Sequence, residues 1–425
     1  MFIEMEETRV ISVSPDKPFS LEAYFGNRYA LYSVPTRDYL LIRLKASGTP
    51  QLRAPLNICL VIDRSGSMEG EPLEYTKKAC AYVVDLLEPD DILSIVTFAE
   101  DVQVVMPPRK VVNKELIKTH IMRIEVGDTT NLYDGLLVGG NQLKSLPLSN
   151  YTNRILLFTD GEPTTGIKDY PTITQLAGNL REEGIKVTAL GFGLEYNEEL
   201  LVGIARRGGG NYYYISRPEL IQEVFRREME SLLTVAARSP KVKVHLSRWV
   251  KARDVLGYNA EYKGRDVEVQ LVDLERGASI SLLMELELEP RPPGIYRIAK
   301  VEVESDDIKE KLSEDVVVEF VEDVALIQQG VNEMVKNEWQ AKQTARSIEK
   351  TLMAMKTQAI STAAAVAELE RTKVFLREQG RLEEAEEVEQ AIESLKKGTS
   401  LEAEKTLIGT IYKMDIGKKK EEETK

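Results

Sequence analysis

Asp63, Ser65 and Ser67 stand directly behind an apolar run, in Asn57-Ile-Cys-Leu-Val-Ile-Asp63-Arg64-Ser65-Gly66-Ser67-Met68. The run reads as a buried strand of a parallel sheet. Such a sheet presents functional groups in the loops at the carboxyl ends of its strands. A carboxylate and two hydroxyls are hard oxygen donors, suited to Mg²⁺ or another hard cation. The same three residues also fit a plain turn followed by a helix cap.

Two further stretches bear on that choice. Gly127-Asp128-Thr129-Thr130-Asn131 leads into a predicted helix, and Phe158-Thr159-Asp160-Gly161-Glu162-Pro163 closes a second apolar strand. Asp63 and Asp160 both terminate parallel strands and so belong on one rim, toward which a helix start can bring Thr130. Two carboxylates ~5 Å apart repel by about 3 kcal/mol at an effective dielectric of 20, and a divalent cation turns that repulsion into attraction. Neutral hydroxyls leave net positive charge on such an ion for an incoming Asp or Glu, which is a recognition device rather than a catalyst. Asp128 and Glu162 read as solvated turn or cap residues, with extra ion ligands as the sharper alternative. Asp134 serves the helix start.

Other chemistries find little support. The only histidines, His120 and His245, have no ligand-like spacing, and the two cysteines, Cys59 and Cys80, read as buried thiols. No phosphate-cradling Gly-x-x-x-x-Gly-Lys-Ser/Thr loop occurs. The net charge of −13 argues against nucleic acid as a partner. The first nine residues carry three glutamates and no apolar run approaches 18 residues, so neither a secretory signal nor a membrane span is expected. The expectation is a cytoplasmic protein.

The elements that would position these residues alternate from about 55 to 236. Strands are predicted at Ile58–Ile62, Ile92–Phe98, Val102–Val105 (an antiparallel edge), Arg154–Thr159, Lys186–Gly191 and Tyr212–Ile215. Helices are predicted at Leu73–Leu87, Lys114–Ile124, Leu132–Leu146, Ile173–Glu183, Glu198–Arg206 and from Pro218 to about Leu233. This is the pattern of a doubly wound α/β sheet. The Gly208-Gly-Gly210 run reads as a mobile loop before Tyr212-Tyr-Tyr214.

Expected strands flank this segment: the β-rich runs Arg9–Val13, Tyr29–Val34 and Tyr39–Leu44 before it, and Lys241–Leu246, which alternates with period two, Asp266–Leu271, Ile280–Leu288, Ile295–Val303 and Val316–Phe320 after it. They are expected to form one β-sandwich into which the α/β domain is inserted. From about 323 a helical stripe begins at Val324 and runs to Met355, with Glu338 interrupting it and Trp339 taking the packing. More stripes follow to Met414, as a bundle packed on itself or, on a sharper reading, a partner-docking or oligomerising arm. The expected domains are thus 1–50, 51–238, 239–322, 323–414 and a disordered tail at 415–425.

Segment 55–236 resembles a von Willebrand factor type A domain, and the flanking segments resemble soluble prokaryotic members of that family. Asp63-x-Ser65-x-Ser67, Thr130 and Asp160 match the family's metal-ion-dependent adhesion site in order. The resemblance implies that Ser65 and Ser67 ligate Mg²⁺, with Mn²⁺ or Ca²⁺ as alternatives. Thr130 would join when a ligand is bound, and Asp63 and Asp160 would act directly or through water. The final position would be filled by a partner's Asp or Glu. The family's glycines before the threonine are here Asp128 and Thr129, so Thr129 competes for the role; Asn131 favours Thr130. The resemblance also implies that the last helix of the domain, Glu219–Leu233, shifts with the metal site.

The leading expectation is a non-enzymatic, metal-dependent protein-binding module acting as an intracellular assembly or adaptor protein. A homo-oligomer through the C-terminal helices is compatible with it. The alternatives are an accessory subunit of a MoxR/AAA+ or chelatase-type ATPase and a Mg²⁺-dependent phosphoryl-transfer enzyme.

Overall fold

The computed structural model describes residues 18–47, 54–160, 162–192, 197–215 and 220–420. They divide into two compact units: 18–47, 236–339 and 416–420 in one, 54–235 and 340–415 in the other. The strand expected at Arg9–Val13 and the first residues of the helix expected from Pro218 lie outside the described residues.

Among the described residues the first unit holds two large sheets. One orders Phe19–Phe25, Thr36–Ala46, Ala278–Leu288 and Val250–Leu256. The other orders Ala260–Lys263, Asp266–Gln270, Lys241–Leu246, Gly294–Glu304, Leu312–Val321 and Tyr29–Leu31. Thr36–Ala46 pairs antiparallel with Ala278–Leu288, from Thr36 opposite Leu288 to Lys45 opposite Ser279. The chain before the α/β segment therefore shares a sheet with the chain after it. Alternation puts Leu40, Ile42 and Leu44 from one sheet and Val242, Val244 and Val301 from the other into a common apolar cluster.

Two expectations fail here. The helix Ser400–Ile416 runs into the segment read as a disordered tail, and Lys418–Lys420 then pairs with Ala278–Ile280. A charged run is held because its backbone groups find partners on a sheet strand, a possibility composition does not reveal. Glu338 does not merely interrupt a stripe: it is 2% exposed and paired with Lys419 at 3.4 Å, while Trp339 stays on the exposed side against Tyr39.

In the second unit, a six-stranded sheet has the strands β1 (Leu56–Asp63), β2 (Ile92–Phe98), β3 (Val102–Lys110), β4 (Thr152–Thr159), β5 (Ile185–Phe192) and β6 (Gly209–Ile215). Its order is β3-β2-β1-β4-β5-β6, all parallel except β3. The helices are α1 (Glu71–Leu86), α2 (Lys114–Met122), α3 (Leu132–Lys144), α4 (Tyr170–Glu182), α5 (Glu198–Gly208) and α6 (Ile221–Leu233). β1, β2, β4 and β5 are buried at every residue, as strands covered by helices on both faces must be.

The edge strand β3 runs five residues past its expected end, through Pro107 and Pro108. An edge strand tolerates proline because its outward N–H groups need no partner. The glycine run is also no loop. Gly208 ends α5, Gly209 takes the left-handed conformation (φ 67°), and Gly210 packs so tightly on β5 that a Cβ would sit 2.2 Å from the Val187 carbonyl oxygen. Cys59 and Cys80 are buried free thiols, and burial pushes Cys59 up to about 12.

The helices Thr362–Glu378, Leu382–Lys396 and Ser400–Ile416 share a cluster that includes Leu369, Leu376, Val388, Ile392 and Leu407. They are not free of the α/β fold. Lys405, 1% exposed, pairs with Glu198 at 3.2 Å, and Lys356 pairs with the same carboxylate at 3.3 Å. The buried Tyr412 hydroxyl donates to the Gly210 carbonyl at 2.5 Å, and Arg206 pairs with Asp415 at 3.0 Å. The division expected at 323 thus falls after Trp339, and residues 340–415 pack with the α/β fold. Among the described residues no helix is long and apolar enough to cross a membrane.

Candidate metal centre

The carboxyl ends of β1 and β4 lie side by side at the middle of the sheet. Asp63 is the last residue of β1 and is fully buried. The chain then turns through Ser65 and a short 3₁₀ turn, Gly66–Met68, before α1. Met68 is buried and anchors that turn in the apolar cluster under α1.

A chain of hydrogen bonds runs from the buried base outward. The Thr159 hydroxyl donates to Asp63 Oδ2 at 2.5 Å, and the Ser65 amide donates to Asp63 Oδ1 at 2.8 Å. Ser65 Oγ and Ser67 Oγ are 3.2 Å apart, and Ser67 Oγ donates to Asp160 Oδ1 at 2.8 Å. Ser65 is buried, Asp160 half-buried and Ser67 exposed. Four of the five expected residues are therefore linked, with two carboxylates at the ends of two hydroxyls.

Burial pushes the Asp63 carboxyl up to about 6; donors from Ser65 and Thr159 oppose that rise, and the nearby Asp160 charge adds to it. Among the described residues no lysine or arginine answers the Asp63 charge. Arg64, next in sequence, turns its guanidinium to Asp101 and lies 4.0 Å from Glu100.

The fifth residue, Thr130, is held by its backbone. Its amide donates to Thr164 Oγ1 at 2.8 Å, and its carbonyl accepts from the Thr164 and Thr165 amides at 3.0 and 3.3 Å. The loop bearing it meets the serine loop where the Gly66 amide donates to the Asp128 carbonyl at 2.9 Å. Thr130 is 3% exposed, and among the described residues no hydrogen bond joins its hydroxyl to the Asp63–Asp160 chain. Among the described residues the neighbouring Thr129 hydroxyl, buried, finds no hydrogen-bond partner.

Asn131 is the N-cap of α3: its side chain accepts from the Asp134 amide and donates to the Asp134 carboxylate at 2.8 Å. Asp134 does serve the helix start, and Asp128 is an exposed turn residue. Glu162 is exposed and accepts from Asn197, the N-cap of α5, at 3.2 Å.

Sequence reasoning missed Thr159 and Thr164. Thr159 sits in the quoted Phe158–Pro163 stretch, but its role depends on β4 lying beside β1, and residue type alone does not state that pairing. Thr164 lies in a loop whose path no periodicity predicts.

The donor set suits a small hard cation. All its atoms are oxygens, the buried Asp63 carboxylate receives only neutral donors, and two neutral hydroxyls lie between it and Asp160. Among the described residues no group of three or more His, Cys, Asp or Glu forms a metal cage, so any ion here would rest on two carboxylates and hydroxyls.

Residues 57–227 match the family model described as von Willebrand factor type A domain. The chain is 30% identical over 265 residues to an uncharacterized Synechocystis protein, covering 60% of this chain and 62% of that one. It is 30% identical over 293 residues to the uncharacterized protein YfbK of Escherichia coli, covering 66% and 51%. It therefore spans less than two thirds of those relatives. Among solved structures it is similar to a von Willebrand factor type A protein from Catenulispora acidiphila, with 17% identity, TM-score 0.73 and coverage of 87% and 89%. It is also similar to the ArnB paralog VWA2 from Sulfolobus acidocaldarius, with 17% identity, TM-score 0.64 and coverage of 94% and 99%. At that identity the likeness is one of fold.

Proposed function

We propose, from the premise that residues 57–227 are a von Willebrand factor type A domain, that the protein is a non-catalytic binding module. It grips an acidic side chain of another protein through a divalent cation, Mg²⁺ in the first instance. Asp63, Ser65, Ser67, Thr130 and Asp160 would hold the ion. The observation that carries this reading is the chain Thr159–Asp63–Ser65–Ser67–Asp160, in which the buried Asp63 carboxylate has hydroxyl and amide donors but, among the described residues, no cationic partner.

The bound ion would supply positive charge and an open coordination position. This chain's residues do the rest. Asp63 and Asp160 provide the negative charge that retains a cation. Ser65 and Ser67 add neutral oxygens, which leave that charge incompletely cancelled. Thr159 and the Ser65 amide orient Asp63 so that it cannot turn away. An incoming carboxylate then completes the balance, and the interaction depends on both partners.

The two sheets of the first unit are read as a β-sandwich scaffold interrupted by the binding domain. An ATPase subunit or a second copy of this chain qualifies as partner if it presents an Asp or Glu.

The test is isothermal titration of the full chain with Mg²⁺, followed by Mg²⁺-dependent capture of partners in parallel with EDTA and with Asp63→Ala. Binding is expected only with wild-type protein and metal. Retention of Mg²⁺ by Asp63→Ala, or capture indifferent to EDTA, sinks the reading.

A further inference from the structure

We propose that Arg64, between Asp63 and Ser65, is a positioning residue that clamps the threonine-bearing loop to the serine-bearing loop. The inference rests on the metal-centre reading and adds to it a residue outside the ligand set.

Arg64 joins three loops at once. Its amide donates to the Phe98 carbonyl at the end of β2 at 2.9 Å, and its carbonyl accepts from the Gly127 amide at 2.5 Å. Its guanidinium pairs with Asp101 and lies 4.0 Å from Glu100, both in the turn after β2. The residue is 8% exposed, deep for an arginine at a rim.

The far side of the clamp is the loop that carries Thr130. A Cβ on Gly127 would lie 2.5 Å from Arg64 Nη1, 2.6 Å from Ala99 Cβ and 2.7 Å from Glu100 Oε2, so the guanidinium rests directly on that backbone. Glu100 Oε2 accepts from the Asp128 amide at 2.8 Å, and the Asp128 carbonyl accepts from Gly66. The Asn131 amide donates to the Ala99 carbonyl at 3.0 Å. The peptide of Asp128 is thus tied on one side to an acid that Arg64 faces and on the other to the serine turn. Thr130, two residues on, inherits that placement.

The planar guanidinium pairs with Asp101, lies near Glu100 and packs against the Gly127 backbone at once, a spread that a compact ammonium on a flexible stem does not reproduce. This distinguishes a clamp from a mere charge. If Arg64 acted only through its charge, Arg64→Lys would leave cation binding unchanged, and Arg64→Met would tighten it by removing a nearby positive charge. A clamp predicts weakening in both.

The experiment is titration of the full chain with Mn²⁺, by calorimetry, on wild type, Arg64→Lys, Arg64→Met, Glu100→Gln and Asp63→Ala. Hydrogen exchange of segment 125–131, with and without metal, accompanies it. Arg64→Lys and Arg64→Met are expected to weaken Mn²⁺ by about tenfold, the factor that about 1.4 kcal/mol makes in an equilibrium constant. Both should lose the metal-dependent protection of the Asp128 and Asn131 amides. Glu100→Gln should stay within about twofold, since a glutamine oxygen still accepts from the Asp128 amide. Should an Arg64 variant fail to fold, Asp101→Asn, at a half-exposed partner, replaces it with hydrogen exchange as the readout. Loss of metal-dependent protection at Asp128 and Asn131 then supports the clamp, whereas weaker Mn²⁺ binding with protection retained at saturating metal is a charge effect and overturns it.

Unchanged or tighter binding in the Arg64 variants, beside lost binding in Asp63→Ala, overturns the clamp and leaves the metal centre standing. Retained binding in Asp63→Ala overturns the metal-centre reading itself.

Discussion

Among the places in the second unit that bury charge, two do so in opposite ways. Where the C-terminal helices meet α5, the buried Lys405 is answered by Glu198, with Lys356 on the same carboxylate and Glu404 3.9 Å from Lys356. Burial pulls Lys405 below the usual lysine range and Glu198 opposes it. Burial alone would raise Glu198, but its own backbone amide and the two lysines bring it below the usual glutamate range. At the end of β1, Asp63 is buried as deeply but receives only neutral donors. One cluster is closed by its own opposite charges. The other is stable only with a protonated carboxyl, a cation, or a cost carried by the rest of the fold. Burial of charge does not by itself mark function, nor do neutral donors alone, since the buried Glu228 also accepts from Thr188, Asn211 and Tyr213. What sets Asp63 apart is a second carboxylate and two hydroxyls beside it at the ends of the strands.

The comparison breaks most visibly at the closed cluster. Lys405→Met removes one partner of a buried pair and should cost about 3 kcal/mol, the low end for such a break because Lys356 still serves Glu198. Chemical denaturation of the full chain reads this. Adding Glu198→Gln should recover most of the loss, and neither change should alter Mg²⁺ affinity. A loss of metal binding equal to that of Asp63→Ala would merge the two regions.

Asp63→Asn tests the open cluster. The Asp63 carboxyl is raised from 3.8 to about 6 in the fold, so its effect on stability is fully favourable below its unfolded value and lost as pH rises through about 6. In EDTA the asparagine variant should therefore be more stable than wild type at pH 8, by up to about 3 kcal/mol at ~1.36 kcal/mol per pKa unit. The advantage should vanish near pH 4. Thermal melts across pH read the difference. Added Mg²⁺ should raise the wild-type midpoint at pH 8 and leave the variant unmoved. Wild-type stability flat from pH 4 to 8 without metal would end the contrast.

Thr159→Val removes the hydroxyl that holds Asp63. It should cost about 2 kcal/mol, the range for a hydrogen bond to a charged group, and should weaken Mg²⁺ in the same calorimetric titration. Tyr412→Phe gives the smallest effect. Losing its bond to the Gly210 carbonyl should cost about 1 kcal/mol in a denaturation curve, with Mg²⁺ binding unchanged.

Much of the α/β fold is legible in the sequence. Every strand of its sheet and each of its six helices falls on a predicted element, because buried parallel strands leave unbroken apolar runs and the helices carry an apolar face. The ends are less legible. β3 runs on past its expected end at Val105, through two prolines that its edge position tolerates. Glu338 is buried because Lys419, 81 positions away, reaches it. The glycines after α5 read as slack, whereas the close approach of β6 to β5 requires them.

By itself the sequence determines that a carboxylate and two hydroxyls follow a buried strand, and that a second carboxylate closes another. That is a matter of residue type and periodicity, which act locally. Only the tertiary structure decides that β4 lies beside β1, which sets Asp160 on Ser67 and Thr159 on Asp63. It alone turns Arg64 away from Asp63 toward Asp101, and seats the C-terminal helices on α5. Hydrogen bonds and charge pairs act over a few ångströms of space rather than along the chain. The centre's composition is therefore written in order, while its missing counter-charge emerges only once the strands are side by side.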